Sequence, residues 1–141
     1  MREIKFRGKR IDNGEWVHGV PVVTSISGAY MVSAKAKSKG GKGGIVVRDV
    51  VVQHEVDPAT IGQYTGLKDK NGTEIYDGDI LHRDGYWDLY VDFIDGAFCL
   101  VSCIEIQRIN WSPIPIWNAD RPGKEVVGNI YDNPELLGGA E

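Results

Sequence analysis

Asp77, Asp79, Asp84, Asp88 and Asp92 are the densest group of chemically capable side chains in the sequence, and Asp88 and Asp92 fall four apart in a segment that alternates as a strand does. Positions four apart on a strand share a face. That is how a pair of carboxylates is set to hold a divalent metal or to divide acid and base work. A general acid or base also needs a neighbour such as His or Lys to tune it. The sequence places none beside these aspartates, so a solvated acidic face is expected.

The other signs of chemistry fail on order or spacing. Asp69-Lys70-Asn71-Gly72 opens like a calcium loop, which requires Gly at its sixth position and Glu at its twelfth. Counted from Asp69, Gly72 is fourth and Ile80 twelfth, so a hairpin turn accounts for these residues. Gly40-Gly41-Lys42-Gly43-Gly44 lacks the order of a phosphate loop and the helix that follows one. His18, His54 and His82 are scattered, with no zinc-ligand spacing, and no nucleophile motif such as G-x-S-x-G is present. Asn110-Trp111-Ser112 is a formal glycosylation sequon, but Pro113 follows it and there is no secretory signal. No catalytic residue, metal, cofactor or small-molecule substrate is expected.

The chemistry that remains is electrostatic. Residues 1–44 hold nine Lys and Arg against three Asp and Glu, a net charge of plus 6, while residues 45–141 carry minus 10. Opposite halves attract, either within a chain or between chains. A basic half is also the footprint of a nucleic-acid binder. In that reading Arg7, Lys9, Arg10, Lys35, Lys37, Lys39 and Lys42 would contact phosphate, giving affinity without sequence choice. Trp16, Trp87, Trp111 and Trp117 are able to stack on bases. Trp87 is expected in the core, and Trp111 and Trp117 at a surface or subunit contact.

The elements that must carry these groups are short. A chain of 141 residues with 42% apolar composition and 18 Gly suits one small domain or two very small ones, with a core that needs no staples. Cys99 and Cys103 lie four apart on an expected strand, too distant to bridge, and read as small buried thiols. The longest apolar run, Ala97 to Val101, is far short of a membrane span. The basic N-terminus has no apolar stretch behind it. A reducing cytoplasm is the expected setting.

Apolar residues alternate with period two or form short β-branched runs between Gly, Asn and Asp turns, which predicts an all-β protein. Glu3–Ile11 and Glu15–Val23 form a hairpin around Asp12-Asn13-Gly14, where Asn-Gly suits a type I′ turn. Ser33–Gly44 reads as a mobile basic loop because it offers little apolar surface. Residues 45–56 form one or two strands that end at Asp57-Pro58. A second Asn-Gly hairpin turns at Lys70-Asn71-Gly72. Tyr86–Ile94 is a strand with Trp87, Leu89, Val91 and Phe93 on one face, and Asp95-Gly96 turns it into Ala97–Ile106. Asn110–Trp117 is too rich in proline for a central strand. Glu125–Tyr131 is the last strand, before a short helical turn capped by Asn133 with Pro134 at its first position.

The stretch Ile61-Gly62-Gln63-Tyr64-Thr65-Gly66-Leu67-Lys68-Asp69-Lys70-Asn71-Gly72-Thr73-Glu74-Ile75-Tyr76-Asp77-Gly78-Asp79-Ile80 closely resembles the signature of the YopX-type phage and prophage proteins. The opening Arg2–Arg7 and the ending Val127–Leu137 resemble that family's two ends. The resemblance implies a small β-rich protein of barrel-like units from a temperate phage, and it brings no biochemical activity with it. The expectation is an all-β chain of two small β-barrel-like units. The first is an N-terminal subdomain at 1–57 with the basic loop 33–44. The second, at 58–141, is an SH3-like β-barrel ending in the helical turn. Functionally, a non-enzymatic accessory protein that forms a homo-oligomer is expected, with a nucleic-acid-binding module as the alternative and a metal-dependent nuclease as a third reading. No membrane partner is expected.

Overall fold

The computed structural model describes residues 3–26, 28–41, 44–85, 88–103, 114–115 and 123–137, with backbone alone for 34–41, 44–51 and 114–115. Trp87, Trp111, Trp117 and Lys42 lie outside the described residues. The strands are β1 (Phe6–Arg10), β2 (Trp16–Thr24), β3 (Gly28–Gly41), β4 (Gly44–Lys68), β5 (Glu74–Tyr76), β6 (Asp79–His82), β7 (Leu89–Ile94), β8 (Ala97–Ser102), β9 (Ile114–Pro115) and β10 (Glu125–Asn129). Apart from a 3-10 turn at Pro134–Leu136, every described element is a strand. The all-β reading therefore holds.

The chain divides into two compact units, Lys5–Gly62 and Gln63–Glu141 with Met1–Ile4. In the first, β1 pairs with β2 from Phe6↔Gly19 to Lys9↔Trp16, and β2 pairs with β3 from Val20↔Val32 to Thr24↔Gly28. The antiparallel pairing continues to β4, which also bonds β1. Two-residue alternation turns Phe6, Val17, Ala29, Met31 and Val56 inward, where Met31 and Val56 are almost wholly buried and Ile61 joins them. Gly8 lets this face pack closely, since a Cβ there would lie 3.1 Å from Val56 and 3.2 Å from Met31, tighter than ordinary contact.

In the second unit, the end of β4 pairs with β5, and a separate sheet runs β10-β6-β7-β8-β9. Ile75, Leu81, Val91 and Leu100 form its core, with Leu67, Leu89, Phe98 and Val126 packed around them. Burying each such side chain contributes about 1.5–3 kcal/mol. Phe93 departs from the expected apolar face. It is 52% exposed and meets Phe98 edge to face, with ring centroids 5.1 Å apart.

Several local expectations are corrected. Ser33–Gly41 is not a loop: it is the outer part of β3, paired residue for residue with β4 out to Gly41↔Gly44. Its own residues offer little apolar surface, but β4 supplies Ile45, Val46, Val47, Val50, Val51 and Val52 opposite them. β4 also passes through Asp57-Pro58 without ending, and the division between units falls after Gly62 rather than Asp57. Side chains bridge the proline site: Asp57 Oδ1 accepts from the Ala59 amide at 3.0 Å, and Thr60 Oγ1 accepts from the Lys9 amide at 2.9 Å.

The first hairpin closes through a four-residue loop, not a type I′ turn. The Arg10 amide bonds the Glu15 carbonyl at 2.9 Å, and only Gly14 takes a positive φ there. At Asp69–Gly72 the Gly72 amide bonds the Asp69 carbonyl at 3.0 Å and Gly72 is left-handed at φ 81°. Asp95-Gly96, with both φ positive, is the type I′ turn. Pro115 and Ile114 pair with Cys99 and Leu100 at a sheet edge, as proline requires. Asn133 does not cap the 3-10 turn with its side chain. Its Oδ1 instead accepts from the Asn129 amide at 3.2 Å.

Candidate functional site

Of the seven candidate cations, Arg7 and Arg10 are engaged by neighbouring side chains, and Lys42 lies outside the described residues. Arg7 is only 9% exposed, and its guanidinium lies 4.6 Å above the ring of Trp16. That stacking fixes it as part of the first unit's structure and does not suit a phosphate contact. Arg10 is held bidentate by Asp12, with Nε to Oδ1 at 2.8 Å and the second guanidinium nitrogen on Oδ2 at 2.5 Å. The hydrogen bond to Asp12 raises the arginine's pKa, and the same bond lowers that of Asp12. Lys9 and Arg10, with Ile11, Asp57 and Pro58, line an open cavity of about 380 Å³.

Lys35, Lys37 and Lys39 lie on the outer part of β3, opposite Val50, Arg48 and Val46. Pairing of β2 with β3 stops at Val20↔Val32, so from Ser33↔Val52 to Gly41↔Gly44 the described sheet is a two-stranded ribbon of nine residue pairs. At about 3.3 Å per residue it is roughly 30 Å long. Register and alternation place positions 35, 37, 39 and 48 on one face and positions 34, 36, 38, 47, 49 and 51 on the other.

Among the aspartates, the expectation that no histidine stands beside them is overturned. His82, at the end of β6, has Nδ1 2.6 Å from Asp88 Oδ1 and Nε2 3.2 Å from Asp84 Oδ1. With a carboxylate at each ring nitrogen, the imidazolium, which donates from both, is the favoured form. The hydrogen bonds to Asp88 and then Asp84 raise the pKa of His82 above its ordinary 6.5. The signal lay in the register. Leu81 pairs with Leu89 across the Asp84-Gly85 turn, which sets position 82 opposite 88. Among the described residues no group of three or more His, Cys, Asp or Glu is arranged to hold a metal. Cys103, whose amide donates to the Asp88 carbonyl at 3.0 Å, has its thiol pushed up to about 11 by burial, with the Asp88 charge adding to it. It is a thiol at neutral pH, not a nucleophile.

A histidine raised in this way contributes stability that is fully present below its unfolded pKa near 6.5 and lost as pH rises through the higher folded value. Urea midpoints are expected to fall between about pH 6 and about pH 9, and His82→Gln is expected to flatten most of that slope. An unchanged slope in the variant would show that the two carboxylates do not hold the charged ring.

The residues of the long central motif serve the fold. Asp69 Oδ1 accepts from the amides of Asn71 and Thr73 at 2.8 and 2.9 Å, and Oδ2 from that of Val126 at 2.9 Å. Asp79, 1% exposed, accepts from the Tyr76 amide at 2.7 Å. Thr65 Oγ1 donates to the Ile75 carbonyl at 2.7 Å, and the rings of Tyr64 and Tyr76 pack 5.5 Å apart. Gly78 is left-handed, with its carbonyl bonded by the Ile130 amide, and a Cβ there would stand 3.0 Å from Tyr131. Near the end of the chain, Asn129 Oδ1 accepts from the amides of Tyr131 and Asp132. Gly128 leaves room for Asn133, whose Oδ1 would lie 2.3 Å from a Cβ.

The family described as YopX protein matches residues 5–138, a span that includes all of these residues. The chain belongs to the YopX protein family. A solved structure, the protein EF1440 from Enterococcus faecalis, is similar over 97% of this chain and 99% of its own, with 28% identity and a TM-score of 0.59. No curated protein matches the chain. No helix among the described residues is long and apolar enough to cross a membrane.

Proposed function

We propose that this YopX family member is a non-enzymatic accessory protein of a phage or prophage that assembles with copies of itself in the bacterial cytoplasm. Its two units are read as barrel-like, the C-terminal one SH3-like. The supporting observation is the division of charge between units. Lys5–Gly62 holds nine Lys and Arg against five Asp and Glu, a net of plus 4, and the other unit holds seven against fifteen, a net of minus 8. Opposite net charges on two surfaces of one molecule favour a head-to-tail contact between copies, and they speed the encounter. Light scattering at low and high salt tests this reading.

The ribbon favours a second reading, a nucleic-acid-binding module. A two-stranded ribbon fits the major groove of duplex DNA, and positions 35, 37, 39 and 48 put four cations on one of its faces. Changing Lys35, Lys37 and Lys39 together to Gln is expected to reduce the dependence of log affinity on log salt by about 3. Titration of a labelled mixed-sequence duplex at several salt concentrations reads this directly. Absence of binding, or an unchanged slope, would remove the reading.

A further inference from the structure

Four of the exposed large apolar side chains sit on one hairpin. Val20 is 59% exposed, Val22 46% and Val23 65%, all on β2, and Ile26 in the turn to β3 is 96% exposed. Residues 16–34 contain no Lys, Arg, Asp or Glu. A single exposed valine is ordinary on a strand. Alternation puts Val20 and Val22 on one face of β2 and Val23 on the other, so Val20 and Val22, with Ile26 in the turn, form an uncharged apolar contact surface. Pro21 lacks an amide donor, which disfavours adding a strand to this edge, so a partner meets the side chains themselves.

The other unit offers a counterpart in Phe93. Its ring, half exposed against Phe98, is flanked in sequence by Asp92 and, beyond Ile94, Asp95. We propose that the Val20–Ile26 hairpin of one copy packs on the Phe93 surface of the next. The inference rests on the self-assembly reading and names its contact. Charge selects the pairing: two hairpins meeting would bring plus 4 against plus 4, and two Phe93 surfaces minus 8 against minus 8, whereas the crossed contact joins opposite signs. Such a contact is heterologous. Each copy has one head and one tail, and the assembly closes into a ring or extends.

The test is complementation. Val20→Glu with Val22→Glu removes the head, and Phe93→Thr removes the tail while placing a strand-favouring residue in β7. Phe93→Lys is a second tail variant that puts a cation where the ring stood, at a position already half exposed. Circular dichroism establishes that each is folded, and light scattering at about 50 mM salt reads mass, where exposed charges act over a Debye length of more than 10 Å. The expected result is the 15.6 kDa chain for each variant alone and twice that mass for an equal mixture of head and tail variants. Parent-sized assemblies of either class of variant, or a mixture that stays at the single-chain mass, would overturn the contact. A contact of hairpin with hairpin would leave the tail variants parent-sized. If the parent chain itself is monomeric at low and high salt, the self-assembly reading fails first.

Discussion

Asp69→Ala is expected to lower the unfolding free energy of the C-terminal unit by about 3 kcal/mol. One carboxylate holds three backbone N–H groups: those of Asn71 and Thr73 close the hairpin turn, and that of Val126 ties the turn to β10, 57 residues away in sequence. A hydrogen bond to a charged acceptor contributes about 1.5–3 kcal/mol, but water replaces part of the loss at the exposed turn amides, so the total falls well below a threefold sum. Burial pushes the Asp69 carboxyl up, and the three amides together with Lys70 outweigh it and hold its pKa below the ordinary 3.8. A depressed carboxyl contributes stability above its unfolded pKa and loses it as pH falls through the folded value, so the variant should also be less sensitive to acid below about pH 4. Urea unfolding at neutral pH measures the main effect. A loss under about 1 kcal/mol would mean that the turn is held by other means.

Gly19→Ala is expected to cost about 3–4 kcal/mol in the N-terminal unit. A Cβ at Gly19 would stand 2.2 Å from the Val32 carbonyl oxygen and 2.8 Å from its carbon, at a φ of 156°. The obstacle is backbone in the paired β2–β3 ladder, which cannot swing aside as a side chain can. Gly72→Ala is the control. Its φ is also positive, at 81°, but no atom lies within 4 Å of the added methyl. That variant should lose only the backbone preference, about 1 kcal/mol. Equal losses in the two variants would show that the close approach at Gly19 is not what requires the glycine.

What was legible in the sequence follows from how local each signal is. Alternation at Trp16–Thr24 and Leu89–Ile94 announces strands because each reports its own burial. Asp95-Gly96 announces its turn for the same reason. Ser33–Gly41 is illegible because its apolar partners lie five to nineteen residues further on, in β4. A segment judged alone cannot show what a distant strand supplies. Asn110–Trp117 apart from Ile114 and Pro115, and the aromatic residues at 87, 111 and 117, lie outside the described residues.

The candidate residues follow the same rule. The charge of Arg7 is visible in the sequence and suggests a phosphate contact, whereas the Trp16 ring beneath it comes from the neighbouring strand. The partners of His82 are not legible in the sequence, because its two carboxylates are reached through a turn and not through a motif. The charge division was legible throughout, since it is a sum over residues. The unit boundary after Gly62 changes its size without changing its sign.

Self-assembly is the central claim, and light scattering coupled to size exclusion at about 50 and about 500 mM salt tests it most directly. The account predicts a mass that is a multiple of 15.6 kDa at the lower salt and that declines toward the single chain as the attraction between unlike units is screened. A mass of 15.6 kDa at both salt concentrations would contradict it.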